Sequence, residues 1–400
     1  MHIVILNWAE GENDPFTFFS QQFEMLLKGL GHAVHVVPLA GPAAATIEAI
    51  HAVIRIDLAF AWQGIGSALT PSGRVETVWE LLEIPLVSVH GDHPCYNPVN
   101  HQQRSRHFLH LYSCKSFLRD ANRFIQRDWP AAYVPILNLF VAPRESVEFK
   151  GDYFVFPKNY RDVNDTRSDW KARCKPETYR FLSAGADAIE AEFRCGNSVN
   201  HPEIIIDLFP SPIPDTVRAG MIDPALSDVI FRFMRELDHV HRNVAAAFVL
   251  ESLPDVPIRV YGRGWERFAA SGNPHHVFQP ANQVAQGHTQ FHSAFGILDV
   301  APVNDTLHDR TLRAARIGAG FLISSSWARG EEVHDHFADL FFSGNAAELR
   351  SKVDVVRSDP DAHRSRVCRF SDALDRQQTA TDFVQRVRGL AAQRGFVLPN

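Results

Sequence analysis

Short apolar runs alternate with amphipathic stretches along most of the chain. In the first third, His2–Leu6, Val34–Val37, Leu58–Trp62, Pro85–Val89 and Leu109–Ser113 read as strands. Between them, Phe16–Leu30, Thr46–Ile54, Arg74–Leu82, Gln103–His107 and Lys115–Ile125 read as helices, the first stopped by Gly29-Leu30-Gly31. Ala131–Ile136 reads as a last short strand. Strands of this length, separated by helices, imply a parallel sheet covered on both faces. A polar stretch at Ala142–Gly151 reads as a linker. Beyond it Tyr153–Phe156 opens a second series. Residues 160–250 are mainly helical, with a Pro-rich break at Pro210–Pro214. The αβ rhythm then returns: strands at Ile258–Tyr261, Val277–Phe278, Ala294–Val300, Phe321–Ser324 and Leu340–Phe342, and helices at Gln283–His292, Asp309–Ile317 and Glu331–Phe337. Ala346–Val356, Arg364–Leu374 and Thr379–Ala392 complete the helices.

This pattern predicts an α/β protein with two Rossmann-like αβα domains facing a cleft. The expected division is an N-terminal domain over 1–145, a second over 151–378 with a helical insertion at about 160–250, and a tail at 379–400 crossing back to the first. Ligands of open parallel sheets bind beyond the carboxyl ends of the strands, so chemistry is sought there.

Composition narrows the function. Of 400 residues, 40 are Lys or Arg and 46 Asp or Glu, a formal net charge of -6. No run of like charges suggests a polyanion partner, so no nucleic acid is expected. The five cysteines are scattered and form no C-x-x-C pair, which fits a reducing compartment rather than a disulfide framework or zinc ribbon. The start MHIVILNWAEGEND reads as a strand rather than a signal peptide. No apolar run approaches the roughly 18–20 residues of a spanning helix. A cytoplasmic location is expected, with peripheral membrane contact left open.

Several strand ends carry candidate chemistry. In Arg259-Val260-Tyr261-Gly262-Arg263-Gly264-Trp265 a strand runs into Gly-x-Gly, where amides can approach an anion closely and Arg263 adds charge; a plain tight turn explains the glycines equally well. After Ala294–Val300, Asn304 and His308 line a polar loop and Arg310 stands in the first turn of the next helix. The helix dipole favours acids there, so an anionic ligand, or a pairing with Asp305, Asp309 or Glu332, accounts for an arginine. Ser324 offers a hydroxyl at another strand end. In the first half, Val89-His90-Gly91-Asp92-His93-Pro94 leaves a buried-type strand, and an Asp–His pair suits general-base work; Asp92 as the cap of a following helix is the plainer alternative. Asn7, Trp8 and Glu10 follow the first strand, and Trp8 serves either as core or as a platform for a sugar ring. Trp62-Gln63-Gly64 ends a strand too, and ordinary packing explains it best. His288 and His292, His275-His276 and His334–His336 have the spacing of metal pairs but no further ligand pattern, so no metal is expected.

The order strand–GxGW, middle block, then HDR-x-x-x-A-x-x-G-A-G–hydrophobic–Ser over roughly 255–375 resembles the carboxyl-terminal half of GT-B glycosyltransferases, in particular the CgeB-like "glycosyl transferases group 1" pattern. The resemblance implies a nucleotide-diphosphate sugar held by the second domain at Gly262, Gly264, Asn304, His308 and Arg310, with Ser324 and Glu331 nearby, and no required cofactor. It implies an acceptor (a glycan, lipid-linked or protein hydroxyl) met by the first domain at Asn7, Trp8, Glu10 and His90, with Asp92 or His93 as the base. Arg313 stands where related retaining enzymes often carry a ribose-binding Glu, which leaves the stereochemical outcome open. A sugar-nucleotide epimerase and a non-catalytic binding protein on the same fold are the competing readings.

Overall fold

The computed structural model describes residues 1–8, 15–125, 128, 131–134, 152–197, 199–220, 222–280, 291, 294–300, 309–324, 336–377 and 379–399. It divides into two units, one of Met1–Val141 with Asp375–Asn400, the other of Ala142–Leu374. The interdomain linker expected at 142–151 and the helices expected at 283–292 and 331–337 fall wholly or mostly outside the described residues.

In the first unit the order is β1 His2–Asn7, α1 Pro15–Gly29, β2 Ala33–Pro38, α2 Ala43–Val53, β3 Leu58–Trp62, α3 Val78–Leu81, β4 Leu86–His90, α4 Pro98–His101, β5 Phe108–Tyr112, α5 Lys115–Phe124 and β6 Ala132–Tyr133. Its strands lie in the spatial order β2-β1-β3-β4-β5-β6, each neighbouring pair parallel. The period-2 alternation of β1 decides what covers each face. Ile3 and Ile5 join Phe23 and Leu27 of α1 in one core, together with Phe383, Val387 and Leu390 of the last helix, Ala380–Gln393. Val4 and Leu6 join Ile47 of α2 and the fully buried Trp79 in the other. The last helix thus belongs to the first sheet, and Thr379 and Asp382 start it with a reciprocal capping box.

Two expected helices come out differently. Of Arg74–Leu82 only Val78–Leu81 is helical, because Thr77 accepts the Glu80 N–H and so sets the start there. The helix expected at Gln103–His107 is not formed; a turn begins earlier, at Pro98, whose fixed φ suits a first helical position. His107 instead bonds Ser105 and Glu83.

The second unit runs β7 Phe154–Pro157, α6 Val163–Arg173, α7 Pro176–Arg194, α8 His201–Leu208, α9 Ile213–Arg218, α10 Pro224–Ser252, β8 Ile258–Tyr261, α11 Glu266–Ala269, β9 His276–Gln279, β10 Gly296–Asp299, α12 Asp309–Arg316, β11 Gly320–Ser324, β12 Phe341–Phe342, α13 Ala346–Ser358 and α14 Pro360–Gln377. These strands make a second parallel sheet, ordered β12-β11-β10-β7-β8-β9. The helical block α6–α10 fills the single crossover from β7 to β8. Gly185 lets α7 and α10 meet closely, since a Cβ there would lie 2.7 Å from Leu237 Cδ1. The protein is therefore α/β, built of two Rossmann-like αβα units. No helix among the described residues is long and apolar enough to cross a membrane.

Candidate functional site

In the first unit β1, β3 and β4 are neighbours, so the residues that follow them gather at one carboxyl edge. Asp92, exposed, accepts a hydrogen bond from Gln63 Nε2 at 2.9 Å. It does not cap α4, whose start is Asn97. Gln63 follows β3 at φ 54, a left-handed conformation that is costly for a residue with a Cβ. Three bonds hold it there. Its N–H donates to Val89 O at 2.7 Å, its carbonyl accepts from Asn100 Nδ2 at 2.9 Å, and its side chain bonds Asp92. Ordinary packing does not call for such a conformation, and the period-based reading of Trp62-Gln63-Gly64 had no way to see it. Trp8 follows β1 at 44% exposure and is not core. Asn7 is tied to the scaffold, its Oδ1 accepting from Ser20 Oγ at 3.3 Å. Glu10 lies outside the described residues.

Two first-unit candidates are corrected. His90 is fully buried, stacked on His101 with centroids 3.9 Å apart and bonded through Nε2 to His110 Nδ1 at 3.0 Å, so it cannot touch an acceptor. His93 is buried as well. Its Nδ1 accepts the Cys95 N–H at 3.1 Å, which places the ring proton on Nε2, facing Asp120 Oδ2 at 3.1 Å. Burial alone would raise the Asp120 carboxyl; the bonds from His93 and Arg119 outweigh it and hold the group below the usual carboxylate range. An imidazole bonded at both nitrogens inside the fold is a structural partner, so of the Asp–His pair the carboxylate alone reaches solvent.

The glycine turn of the second unit is corrected in the same way. A Cβ on Gly262 would lie 2.1 Å from Lys158 O, and one on Gly264, at φ +84, 1.8 Å from Tyr160 O. The glycines admit the loop after β7, not a ligand. The amides expected to face an anion are already bonded: Gly262 N–H to Gln279 O at 3.1 Å and Arg263 N–H to Asn159 Oδ1 at 2.9 Å. Trp265 completes the lock, donating Nε1–H to Lys158 O at 2.6 Å and stacking on Tyr160 at 4.7 Å. Burial first, then Asp162, pushes the Tyr160 phenol up to about 12, so it stays protonated. Arg263 itself is exposed.

The loop so fixed forms one wall of a cavity of about 500 Å³, closed by α6 and α10. Its lining carries Lys158, Arg161, Arg173 and Arg242 against Asp169 and Glu236, four cations less two anions, or +2. Arg161 pairs with Asp169 and Arg173 with Glu236. Burial opposes the charge on Glu236, but the bonds from Arg173 and Trp170 keep it anionic. Lys158 is the residue the sequence reading missed. It follows the central strand β7, is 7% exposed, and reaches Val300 O just past β10 at 3.3 Å. A lysine directly after the apolar run Phe154–Pro157 was its only signal.

Next to it, the buried Asp299 accepts from Val300 N–H at 2.9 Å and from Thr311 Oγ at 2.8 Å, which fastens the start of α12 to the end of β10. Arg310 is the second residue of α12 and Ser324 the last of β11; for both the backbone alone is described. Asn304, His308 and Glu331 lie outside the described residues. Arg313 is buried at 5% exposure.

No family model matches this chain, and no curated protein does. Among solved structures it is similar to the DNA-modifying enzyme β-glucosyltransferase, determined with and without its substrate uridine diphosphoglucose, at 9% identity and a TM-score of 0.48 over 94% of this chain and 99% of that one. A second structure of T4 phage β-glucosyltransferase gives 10% identity and the same score and coverage. Neither likeness carries a residue role or a substrate over to this chain.

Proposed function

We propose that this protein is a glycosyltransferase that moves a sugar from a nucleotide-diphosphate donor to an acceptor hydroxyl. One observation carries the reading: the recessed, net-cationic cavity at the carboxyl end of β7, where the ligand of an open parallel sheet belongs. Its volume falls within the roughly 300–1,000 Å³ of small-molecule sites. Arg242 is also paired with Asp238 behind the wall, yet the lining keeps a positive excess that favours an anionic group such as a diphosphate. Lys158 and the arginines lower the cost of the negative charge that grows on the leaving diphosphate as the anomeric bond breaks. Arg310, at the second position of α12, joins them in this reading.

Asp92 takes the acceptor proton in an inverting displacement. The Gln63 amide aims it, and Trp8 offers its exposed face to a sugar ring. No metal is needed for these steps. The donor loop residues Asn304, His308, Ser324 and Glu331 complete the donor side in this reading, and the order of motifs over 255–375 supports it.

A panel of nucleotide-diphosphate sugars, assayed for hydrolysis and for transfer to hydroxyl acceptors, tests the proposal. At least one of UDP, GDP or dTDP should raise the melting temperature, since a ligand at 100 times its Kd stabilises by about 2.7 kcal/mol. Lys158→Met should weaken that shift tenfold or more in ligand concentration. If no nucleotide stabilises the chain and no donor is turned over, the reading fails.

A further inference from the structure

Behind the cavity wall lies a polar cluster that the donor reading does not use. His201 opens α8, and Asp238 and His241 stand three residues apart on one face of α10. All three are buried, at 3%, 3% and 4% exposure. One ligand atom from each lies within 4.8 Å of the other two. The His201 and His241 rings approach to 5.1 Å between centroids, and Phe193 closes over His241 at 5.5 Å. Among the described residues, His241 Nδ1 has no hydrogen-bond partner. A buried polar nitrogen in that state is unfavourable.

We infer that His201, Asp238 and His241 bind one divalent transition-metal cation that clamps α8 to α10. Two imidazoles and a carboxylate are the donor set of zinc and its first-row neighbours, whereas magnesium and calcium take oxygen. The geometry is close to closing. The centre of a triangle with 4.8 Å sides is about 2.8 Å from each corner, against about 2.0–2.2 Å for Zn–N and Zn–O bonds, so with all separations inside that limit an inward movement of about 0.7 Å per ligand is the most a regular site needs. The carboxylate already has an outer partner of the kind that orients metal ligands: Arg242 donates Nε–H to Asp238 Oδ2 at 2.7 Å. Arg242 also lines the cationic cavity, so the cation would stiffen one of its walls. The inference stands on these residues alone, whatever the cavity binds.

Metal content of the full chain, expressed with added Zn²⁺ and freed of loose metal by gel filtration, provides the test. About one equivalent per chain is expected in the wild type. His201→Ala and His241→Ala should each lose it, while His275→Ala, at an exposed site, should keep it. Chain grown with Co²⁺ should show the visible d–d bands of a nitrogen-ligated, low-coordinate site. That measurement needs no variant, and His201→Gln replaces any alanine variant that fails to fold. A wild-type chain without stoichiometric metal overturns the inference. So does an equivalent that survives the loss of both histidines, or a cobalt spectrum of the six-coordinate aqueous type.

Discussion

The two sheets share one architecture and differ in what connects their strands. In the first unit no crossover holds more than one helix among the described residues, and α3 and α4 are single turns of four residues. Its edge carries the exposed Asp92 carboxylate, steadied by Gln63 in a left-handed conformation. In the second unit the crossover from β7 to β8 swells into α6–α10, and the space it encloses beyond β7 is recessed and cationic. Equal sheets thus yield unequal edges. Among the described residues, the first presents Asp92 to solvent, and the second gathers a buried lysine and three arginines more exposed than it around one hollow. The chemistry follows the length of the crossover more than the strands it joins.

The largest expected effect separates neighbours within the first edge. Asp92→Asn should lower turnover about 10²–10⁴-fold, the usual worth of a general base, with little change in melting temperature because the carboxylate is exposed. His93→Ala should do the reverse. It leaves Asp120 buried beside an empty space, and removing one member of a buried pair costs about 3–5 kcal/mol. Arg119 keeps its bond to Asp120, so the low end of that range is expected. Activity measured beside denaturant melts checks both; equal losses from the two substitutions would erase the distinction between a working carboxylate and a structural imidazole.

In the second unit the glycine turn is the sensitive point. Gly264→Ala forces a Cβ into Tyr160 O and a left-handed backbone at once, for about 3 kcal/mol or more. Gly272, also left-handed at φ +66 but with nothing within 4 Å of a Cβ, should cost only about 1 kcal/mol as alanine. Hydrogen exchange over 158–162 should rise in the first variant and not in the second. If both behave alike, the loop lock is not what Gly264 serves.

Both sheets were legible in the sequence because their inner strands are buried apolar runs alternating with helical stretches, and period decides such elements. Leu58–Trp62 and Ile258–Tyr261 match residue for residue. The failures at 74–77 and 103–107 arose where caps and proline, not periodicity, set the boundary. The site was harder to read. Asp92 was visible as a polar residue at a strand end, but a sequence cannot say that His93 turns inward while Asp92 turns out. Gly262 and Gly264 announced a close approach without revealing that the neighbour is the protein's own backbone. Gln63 and Lys158 gave almost no signal, since their importance lies in a dihedral angle and in the strand order β10-β7-β8.

Acid should take the units apart in sequence. Burial, only partly opposed by the Phe321 carbonyl and by Asp339, pushes His363 down to about 4, well below the ordinary 6.5. Below pH 6.5 the unfolded chain then binds a proton the folded chain refuses. Stability is therefore intact above pH 6.5 and falls as the pH drops toward 4, by up to about 3 kcal/mol for His363. Asp120 in the first unit acts in the same direction but at lower pH. Its folded value lies below the usual 3.8, so its contribution persists until the pH approaches 4 and fades below. Hydrogen exchange between pH 7 and 4 should show the strand Gly320–Ser324 losing protection before Phe108–Tyr112, and His363→Gln should shrink the gap.

The smallest effect concerns Asp162, which does two jobs in one side chain. Its Oδ1 accepts the Asn164 N–H and caps α6, while Oδ2 pairs with Arg267 on the far side of the glycine turn. Burial would raise its carboxyl, yet the Asn164 amide and Arg267 hold it below the usual range. Caps and exposed ion pairs have different worth: about 1 kcal/mol for the cap, and about 0–1 kcal/mol for a pair whose arginine is largely in water. Asp162→Asn keeps the cap and drops the charge, so it should cost no more than a few tenths of a kcal/mol and disappear into the noise at high salt. Asp162→Ala removes both and should cost about 1 kcal/mol at any salt. A salt-independent loss in the Asn variant would mean that the ion pair, rather than Trp265 and the glycines, holds the loop after β7 against the turn after β8.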